Sequence, residues 1–287
     1  MSLLQFTFES QYLCNNTTVS VILPDRPHSV DAADFYSNGK KYRVLWLLHG
    51  TYGDHSDWVR KSMIEIYARE KNLICVMPSG MNADYENWPG FGMGFDMDSF
   101  LVKELMPMIY NWFPASPKKE DNFIAGLSMG GRGALKYLLK YPDKFASGAI
   151  LSAAPVAMDT IDWEGKLPPA FGLRSMSNPR FRNQVANAGG KEAYIRDYDL
   201  FSKVFEMHKA GTLPKMIFGC GDKDFLYDTY KAFKDACLRE EVPITFFELP
   251  NLGHEWRFWD PFIQEAFRFW GFETDTETKK PIWHTPD

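Results

Sequence analysis

Polar and apolar residues alternate near the start of the chain, and uninterrupted apolar runs replace this alternation further along. Residues 5–8 and 18–23 alternate with a period of two, which predicts strands with one solvent-facing side. Later apolar runs are short and carry no alternation, as is typical of strands covered on both faces. These runs are residues 44–48, 73–77, 123–127, 149–152 and 216–219, and residues 245–249 are predicted to form the last strand.

Segments with helical spacing of apolar residues lie between most of these runs. They are residues 57–70, 96–113, 130–141, 226–240 and 258–272. Buried strands that alternate with helices predict an α/β fold with a mostly parallel central sheet and helices on both faces. The two alternating segments at the start predict an antiparallel edge to that sheet.

Residues 154–199 interrupt this order. Prolines and glycines punctuate the segment, and we interpret it as irregular. About 40 residues are too many for a plain connection, so we expect the segment to cover a site. The simplest organisation is one domain over residues 1–287 with a cap inserted at about 154–199.

Charge and composition limit the classes of partner. The 287 residues are 45% hydrophobic and carry a net charge of −5, which argues against nucleic acid and anionic membranes as partners. The chain starts without a signal-peptide pattern and has no apolar run of 18 residues, so we expect a cytoplasmic protein. Gly90, Gly92 and Gly94 follow prolines and aromatic residues rather than a strand, so we expect no nucleotide and no other cofactor. Assembly into a homo-oligomer is left open.

The sharpest chemical signal is the segment from Gly126 to Gly131, which has the pattern G-x-S-x-G around Ser128. The pattern alone recurs by chance, but here a buried strand runs directly into it and a helix runs directly out. This context is that of a nucleophilic serine on a strained strand-to-helix turn. Small residues are needed at Gly126 and Gly130 because the backbone doubles back there. The sequence therefore predicts that Ser128 is a nucleophile.

A serine nucleophile needs a histidine base and an acid, which follow the serine in this architecture in the order acid, then histidine. His254 lies between the last predicted strand and the last helix, whereas His208 lies in a polar helical stretch and His284 in a charged tail. We therefore predict that His254 is the base. After the strand at 216–219, Asp222 and Asp224 are both candidates for the acid. We favour Asp224, since Asp222 directly follows a glycine and is suited to forming a turn.

The oxyanion of an acyl-transfer intermediate needs backbone N–H donors. One should come from Met129, the residue after the nucleophile, and another from the loop at residues 49–53, where Thr51 is the best candidate. A side-chain role for His49 is a weaker alternative. The acidic and histidine residues between His49 and Asp57 match no metal-binding spacing, so we expect no metal.

Several aromatic residues are candidates for lining a substrate pocket. The chain is 16% aromatic, and many rings fall in predicted loops. We select Tyr52, Trp88, Trp163 and Trp256. Packing in the core is an equal alternative for each of the three tryptophans.

Four segments together resemble the esterase D-like, or putative esterase, family of α/β-hydrolases. They are residues 49–53, 126–131, 221–226 and 253–256, and the resemblance covers nearly the whole chain. Tributyrin-type and feruloyl esterases of bacteria are the most similar in these motifs. The resemblance implies the α/β-hydrolase fold, supports Asp224 as the acid, and supports Thr51 and Met129 as oxyanion donors.

The expected activity is hydrolysis of small-molecule carboxylic esters by a serine mechanism with an acyl-enzyme. Short-chain acyl, acetyl and hydroxycinnamoyl esters, including esters of sugars, are the expected substrates. Hydrolysis of S-formylglutathione and acyl transfer are the alternatives within enzymes. The S-formylglutathione hydrolases of the family carry a different oxyanion-loop sequence. An inactive binding protein is a distant alternative, since complete sets of serine, acid and histidine are uncommon in degenerate relatives.

Overall fold

The computed structural model describes residues 2–27, 29–169 and 174–274. Its main feature is an eight-stranded sheet with the strand order β1-β2-β4-β3-β7-β8-β9-β10. Strands β1, β2 and β4 pair antiparallel in that order, and every other pairing in the sheet is parallel. The predicted α/β class, with its antiparallel edge, is confirmed. The strands of the large sheet are β1 (Ser2–Ser10), β2 (Asn15–Leu23), β3 (Arg43–Leu48), β4 (Leu73–Pro78), β7 (Asn122–Leu127), β8 (Ser147–Leu151), β9 (Lys215–Gly221) and β10 (Thr245–Leu249).

Helices cover both faces of this sheet. The α-helices of the described residues are α1 (Ala32–Ser37), α2 (Asp57–Lys61), α3 (Ile64–Glu70), α4 (Met97–Ser99), α5 (Met106–Trp112), α6 (Met129–Lys140), α7 (Pro179–Ala188), α8 (Lys191–Tyr198), α9 (Leu200–Lys209), α10 (Tyr227–Arg239) and α11 (Trp256–Phe269). Between β4 and α4 lies a small antiparallel pair, β5 (Asn87–Trp88) and β6 (Phe95–Asp96). None of the helices in the described part of the chain is long and apolar enough to cross a membrane.

The apolar runs build two cores, one on each face of the sheet. Along β3, Val44 and Trp46 face one core, and Leu45 and Leu47 face the other. All four are fully buried. A strand flanked by helices on both sides has no solvent-facing positions, which is why its sequence shows no alternation.

The predicted helix at 57–70 is two helices, because the chain is extended at Ser62. The side-chain oxygen of Ser62 accepts the N–H of Ile64, as an N-capping residue does, and Asp260 of α11 accepts the N–H of Met63 at 2.9 Å. Helical periodicity continues through the break because both helices pack on the same core.

The predicted helix at 96–113 is continuous but not uniform. A π-helical stretch at Phe100–Leu105 joins α4 to α5. Pro107 follows it in the first turn of α5. A proline cannot donate to the preceding turn of a helix, and a widened turn accommodates this missing donor.

The irregular structure expected for residues 154–199 is wrong for most of the second half, which forms α7 and α8. Asn178 accepts the N–H of Arg180 as an N-cap, Pro179 begins α7, and Gly189 ends it with a φ of 96°. The proline and the glycine, whose residue types predict irregular structure, stand at helix ends, where they are favoured. Residues 170–173 of the predicted cap, His28, His284 and the end of the predicted domain at 275–287 lie outside the described residues.

Candidate active site

Ser128 occupies the turn between β7 and α6, at the carboxyl edge of the parallel strands. Its φ of 54° and ψ of −117° lie in a region that residues with a side chain rarely adopt. The N–H of Ser128 donates to Leu151 O of the neighbouring β8 at 2.8 Å, which holds the turn to the sheet. Strain of this kind is characteristic of a serine presented at the top of an α/β sheet.

The glycines of the motif are required by close approach of the backbone. A Cβ on Gly126 would lie 2.1 Å from the carbonyl oxygen of Gly130. A Cβ on Gly130 would lie 2.5 Å from the carbonyl oxygens of both Leu48 and His49. Because these neighbours are backbone atoms, they have no other rotamer to adopt. The first turn of α6 therefore packs directly on the end of β3, where the loop at residues 49–53 begins.

Asp224 and His254 form a hydrogen-bonded pair at the same edge of the sheet. Both carboxylate oxygens of Asp224 lie within reach of His254 Nδ1, at 3.0 and 2.9 Å. Oδ1 also accepts the N–H of Leu226 at 2.8 Å. An ionised carboxylate only accepts, so Nδ1 carries a hydrogen and Nε2 of the neutral ring is left as an acceptor. The ring is thus in the tautomer that a general base requires.

The loops carrying the acid and the histidine are joined along their backbones. Lys223 N–H donates to Leu252 O at 2.9 Å, and a Cβ on Gly221 would lie 2.2 Å from that same oxygen. Asp222 accepts the N–H of Asn251 at 2.6 Å. The two candidate aspartates therefore differ in their contacts. Asp224 binds the imidazole of His254, and Asp222 binds the backbone of the loop that precedes His254.

Aromatic rings enclose the imidazole of His254. Phe225 lies 4.5 Å from it between ring centroids, and Trp259 meets it edge-on at 5.0 Å. Trp259 Nε1 in turn donates to Ser152 Oγ at 2.9 Å. Behind the carboxylate of Asp224, burial raises the pKa of the Cys220 thiol, and the nearby aspartate charge raises it further. The thiol is therefore neutral at physiological pH, and Asp224 is the charged group on that side of the ring.

The loop at residues 49–53 lies against Ser128. A Cβ on Gly50 would lie 3.4 Å from Ser128 Cβ. Tyr52 N–H donates to Asn82 Oδ1 at 2.9 Å, and Gly53 N–H donates to Gly50 O at 3.2 Å. Within the described residues, the N–H of Thr51, which lies between Gly50 and Tyr52, makes no hydrogen bond. The loop thus offers one backbone donor to a ligand at the serine.

Met129 is the first residue of α6, and the N–H groups of a helix's first turn have no partner within the helix. The positive end of the helix dipole adds to the attraction for a negative oxygen beside Ser128.

His49 is a buried support of this loop. Its Nε2 accepts the N–H of Gly80 at 2.7 Å, so Nδ1 is the donor to Gly50 O, also at 2.7 Å. Burial lowers the pKa of His49, which keeps the ring neutral. Tyr85 donates its hydroxyl to the carbonyl of His49 at 3.1 Å. Both ring nitrogens are used within the protein, so the side chain holds the loop and has no free nitrogen for a substrate.

A family model described as "Putative esterase" matches residues 10–228. The chain belongs to this family. An acetyl esterase from Caldicellulosiruptor saccharolyticus is 30% identical over 274 residues, which cover 94% of this chain and 98% of the relative.

Two solved structures from Staphylococcus aureus resemble this esterase over 94% of its chain and 98% of theirs, each with a TM-score of 0.73. One is the fluorophosphonate-binding serine hydrolase FphF, at 26% identity, and the other is the S-formylglutathione hydrolase FrmB, at 27% identity. The expected α/β-hydrolase fold is thereby confirmed. The protein is a serine hydrolase of carboxylic esters.

The four aromatic residues selected for the pocket of this esterase have different surroundings. Tyr52 is 84% exposed at the tip of the 49–53 loop. The three tryptophans are half-buried and packed: Trp88 donates to Ala83 O, Trp163 lies among the rings beneath α7 and α8, and Trp256 stacks edge-on against Trp58. Contact of these four residues with a substrate stays a prediction.

Sequence reasoning missed the charged residues that the structure places beside the 49–53 loop. Arg180 of α7 donates to the side chains of Thr51 and Asp84, and Arg132 of α6 lies 3.9 Å from Asp84. One signal was present, since Asn178 and Pro179 mark a helix start two residues before Arg180. The partners of Arg180 are about 100 residues or more away along the chain, and no local pattern indicates them.

No group of three histidine, cysteine, aspartate or glutamate residues is placed to hold a metal ion in the part of the chain that the structure describes.

Proposed function

We propose that this esterase hydrolyses short-chain carboxylic esters, acetyl esters above all, through Ser128, His254 and Asp224. The observation that carries the proposal is the pairing of His254 with Asp224 at the sheet edge where Ser128 stands in its strained turn. The acetyl esterase relative supports the choice of a small acyl group.

The mechanism follows from the tautomer of the imidazole. Ser128 Oγ attacks the ester carbonyl carbon while its proton passes to His254 Nε2, and Asp224 stabilises the imidazolium through Nδ1. The N–H groups of Thr51 and Met129 hold the oxyanion that forms. The C–O bond then breaks, the leaving alcohol takes the proton from Nε2, and the acyl group remains on Ser128. Water attacks this acyl-enzyme by the same steps and releases the carboxylic acid.

The groups that flank the reacting ester, on its acyl or its alcohol side, would meet aromatic surfaces. Tyr52 and Phe225 are 84% and 52% exposed, on the oxyanion loop and directly after Asp224. Rings in these positions favour a flat or ring-shaped group, such as a sugar or a hydroxycinnamoyl unit, beside the reacting ester. We include esters of both kinds in the proposed substrate class.

We also propose that the chain is one domain in which residues 154–199 form a cap. The contacts of α7 with Thr51 and Asp84 support this role, because they bring the segment to the loop beside Ser128. A cytoplasmic location stays a prediction.

Hydrolysis of S-formylglutathione is the second candidate, favoured by the likeness to FrmB. A thioester can use the same serine, histidine and oxyanion donors, with a thiol as leaving group. The two candidates differ in the leaving group and not in the machinery, so rates on defined substrates decide between them.

The test is steady-state hydrolysis of p-nitrophenyl acetate, butyrate and octanoate, methyl ferulate and S-formylglutathione. We expect the highest kcat/KM with the acetate, and we expect Ser128→Ala to lower kcat by about 10⁴-fold or more. Ser202→Ala, which alters an exposed helix end, is the matched control and should behave as wild type. Preference for S-formylglutathione would select the second candidate. Full activity of Ser128→Ala would show that the nucleophile is misassigned.

A further inference from the structure

One face of α7 is fastened to the segment that follows β4. Arg180, Gln184 and Asn187 are spaced by four and three residues, so they share a face of the helix. Arg180 and Gln184 both donate to the carboxylate of Asp84, and Asn187 Nδ2 donates to Asn87 O at 2.8 Å. Three successive contacts therefore hold the helix in a single orientation over this segment.

An adjacent face of α7 is apolar. Phe181 and Val185 are buried in a small core with Ile161 and Tyr194. This core is separate from the two main cores of the sheet. The polar face is thus the side by which α7 contacts the loops at the active-site edge.

Arg180 joins two loops through a single guanidinium group. Nη2 and Nε donate to the two carboxylate oxygens of Asp84 at 2.7 and 3.3 Å, a bidentate arrangement. Nη1 donates to Thr51 Oγ1 at 3.0 Å. Because the guanidinium group is planar and a carboxylate holds two of its nitrogens, the direction in which the third nitrogen donates is fixed. The hydrogen bond from Nη1 therefore ties the position of the Thr51 side chain to that of Asp84.

Asp84 is itself a rigid anchor. It is 4% exposed and has a φ of 52°. Burial alone would raise the pKa of Asp84, but the charges of Arg132 and Arg180 together with hydrogen bonds hold it below its usual value. Lys136 Nζ also donates to its carbonyl at 3.2 Å. Asp84 is thus a fixed carboxylate at neutral pH.

The segment that follows β4 binds the residues on both sides of Thr51 but makes no direct hydrogen bond to Thr51 within the described residues. Gly80 and Tyr85 bind His49, and Asn82 binds the N–H of Tyr52. For Thr51, the hydrogen bond found within the described ranges is the one from Arg180. The residue proposed to donate to the oxyanion is therefore positioned from α7.

We propose that Arg180 is a positioning residue that fixes Thr51 for oxyanion stabilisation and makes this depend on the docking of α7. The inference rests on the proposed function, in which the N–H of Thr51 is an oxyanion donor. Such donors must be placed within about 0.5 Å of the productive geometry, and an error of about 1 Å can cost about 100-fold in rate. A loop held on one side only would lose that accuracy.

The first test compares Arg180→Met with Arg182→Met in hydrolysis of p-nitrophenyl acetate. Arg182 lies on the same helix, but its hydrogen bonds go to the carbonyl oxygens of Met176 and Ser177. We expect Arg180→Met to lower kcat by about 10- to 100-fold with KM changed by less than about threefold, because the oxyanion exists only after attack. Arg182→Met should keep the wild-type kcat. Equal kcat values for the two variants would overturn the proposal.

The second test asks whether Arg180 acts through Thr51. Thr51→Val keeps the shape and the backbone N–H but removes the oxygen that accepts from Arg180. We expect Thr51→Val and Arg180→Met to lower kcat alike, and the double variant to be no slower than either one. Losses that multiply in the double variant would mean that Arg180 acts elsewhere, and the proposal would fail.

A transition-state analogue separates positioning from loss of structure. A boronic acid that adds to Ser128 should bind Arg180→Met more weakly, by the same factor as the fall in kcat/KM, and Arg180→Lys should give intermediate values because a lysine serves fewer partners at once. Unchanged affinity for the boronic acid in Arg180→Met would refute the proposal. Failure of the proposed function is distinguishable, since it would appear as activity retained in Ser128→Ala.

Discussion

The backbone strain at Ser128 predicts an unusual response of stability to substitution. Its φ of 54° and ψ of −117° are unfavourable for any residue with a Cβ but are open to glycine. Ser128→Gly and Ser128→Ala both remove the hydroxyl, so the comparison between them isolates the backbone. We expect the glycine variant to be the more stable of the two, which reverses the usual order.

The magnitude follows from two opposing effects. A residue held in such a region costs about 1–3 kcal/mol, which glycine relieves. Glycine also gives the unfolded chain more freedom, at a cost of about 0.5–1 kcal/mol relative to alanine. The expected net advantage of Ser128→Gly over Ser128→Ala is about 1 kcal/mol in the free energy of unfolding. The hydrogen bond from residue 128 N–H to Leu151 O is kept in both.

Urea unfolding followed by tryptophan fluorescence measures the difference. Ser99 provides the matched control, since its φ of −65° and ψ of −40° are helical. There the alanine variant should be the more stable, by about 1 kcal/mol. If the alanine variant at position 128 also has a free energy of unfolding equal to or higher than that of the glycine variant, then the turn stores no strain that glycine relieves. The structural reasoning about the turn at Ser128 is then refuted.

The remaining predictions concern three buried or partly buried carboxylates. Asp224→Asn should lower kcat on p-nitrophenyl acetate by about 10⁴-fold, because it favours the wrong tautomer of His254. Asp222→Asn keeps an oxygen that accepts from the N–H of Asn251, so its kcat should stay within about threefold of wild type. Equal losses of kcat in the two variants would contradict the assignment of Asp224 as the acid. Asp84→Asn should destabilise the fold by about 3 kcal/mol at pH 7 in urea unfolding, because it removes the buried carboxylate that pairs with Arg180 and Arg132. The pKa of Asp84 is held below its unfolded value of about 3.9, so as the pH falls the unfolded chain takes up the proton first and the wild type loses stability. The difference in free energy of unfolding between Asp84→Asn and wild type should therefore persist from pH 8 to 5 and narrow below about pH 4. The exposed control Asp143→Asn should have the same free energy of unfolding as wild type. A difference between Asp84→Asn and wild type that widens in acid would contradict the assignment of Asp84 as a paired carboxylate.

The inner strands of the sheet could be predicted from the sequence because they are buried on both faces. Such a strand must be apolar at every position, and the run from Val44 to Leu48 is a signal that no helix on the surface would give. The G-x-S-x-G motif was informative for a related reason. A Cβ at position 126 or 130 would lie 2.1 or 2.5 Å from a backbone oxygen, so the two glycines in the sequence record the geometry directly.

Helix boundaries were less predictable where distant residues decide them. Ser62 ends α2 and caps α3, but the N–H of Met63 is satisfied by Asp260, nearly 200 residues later in the chain. Periodicity depends only on which face is buried, and it does not change when two helices with a break between them cover the same core. A single helix was therefore the natural prediction, and it was wrong.

Arg180, beside the loop at residues 49–53, illustrates what sequence patterns cannot contain. An arginine at the second position of a helix is ordinary, and Arg182 two residues later has the same local surroundings. What distinguishes Arg180 is the strained Asp84 on another loop, and the geometry that aims its third nitrogen at Thr51. Both depend on the sheet bringing the ends of β3 and β4 together, so the role of Arg180 can be inferred only after the fold is known. The proposed catalytic serine is evident from the motif around it, whereas the residues proposed to position the oxyanion donor beside it are dispersed along the chain.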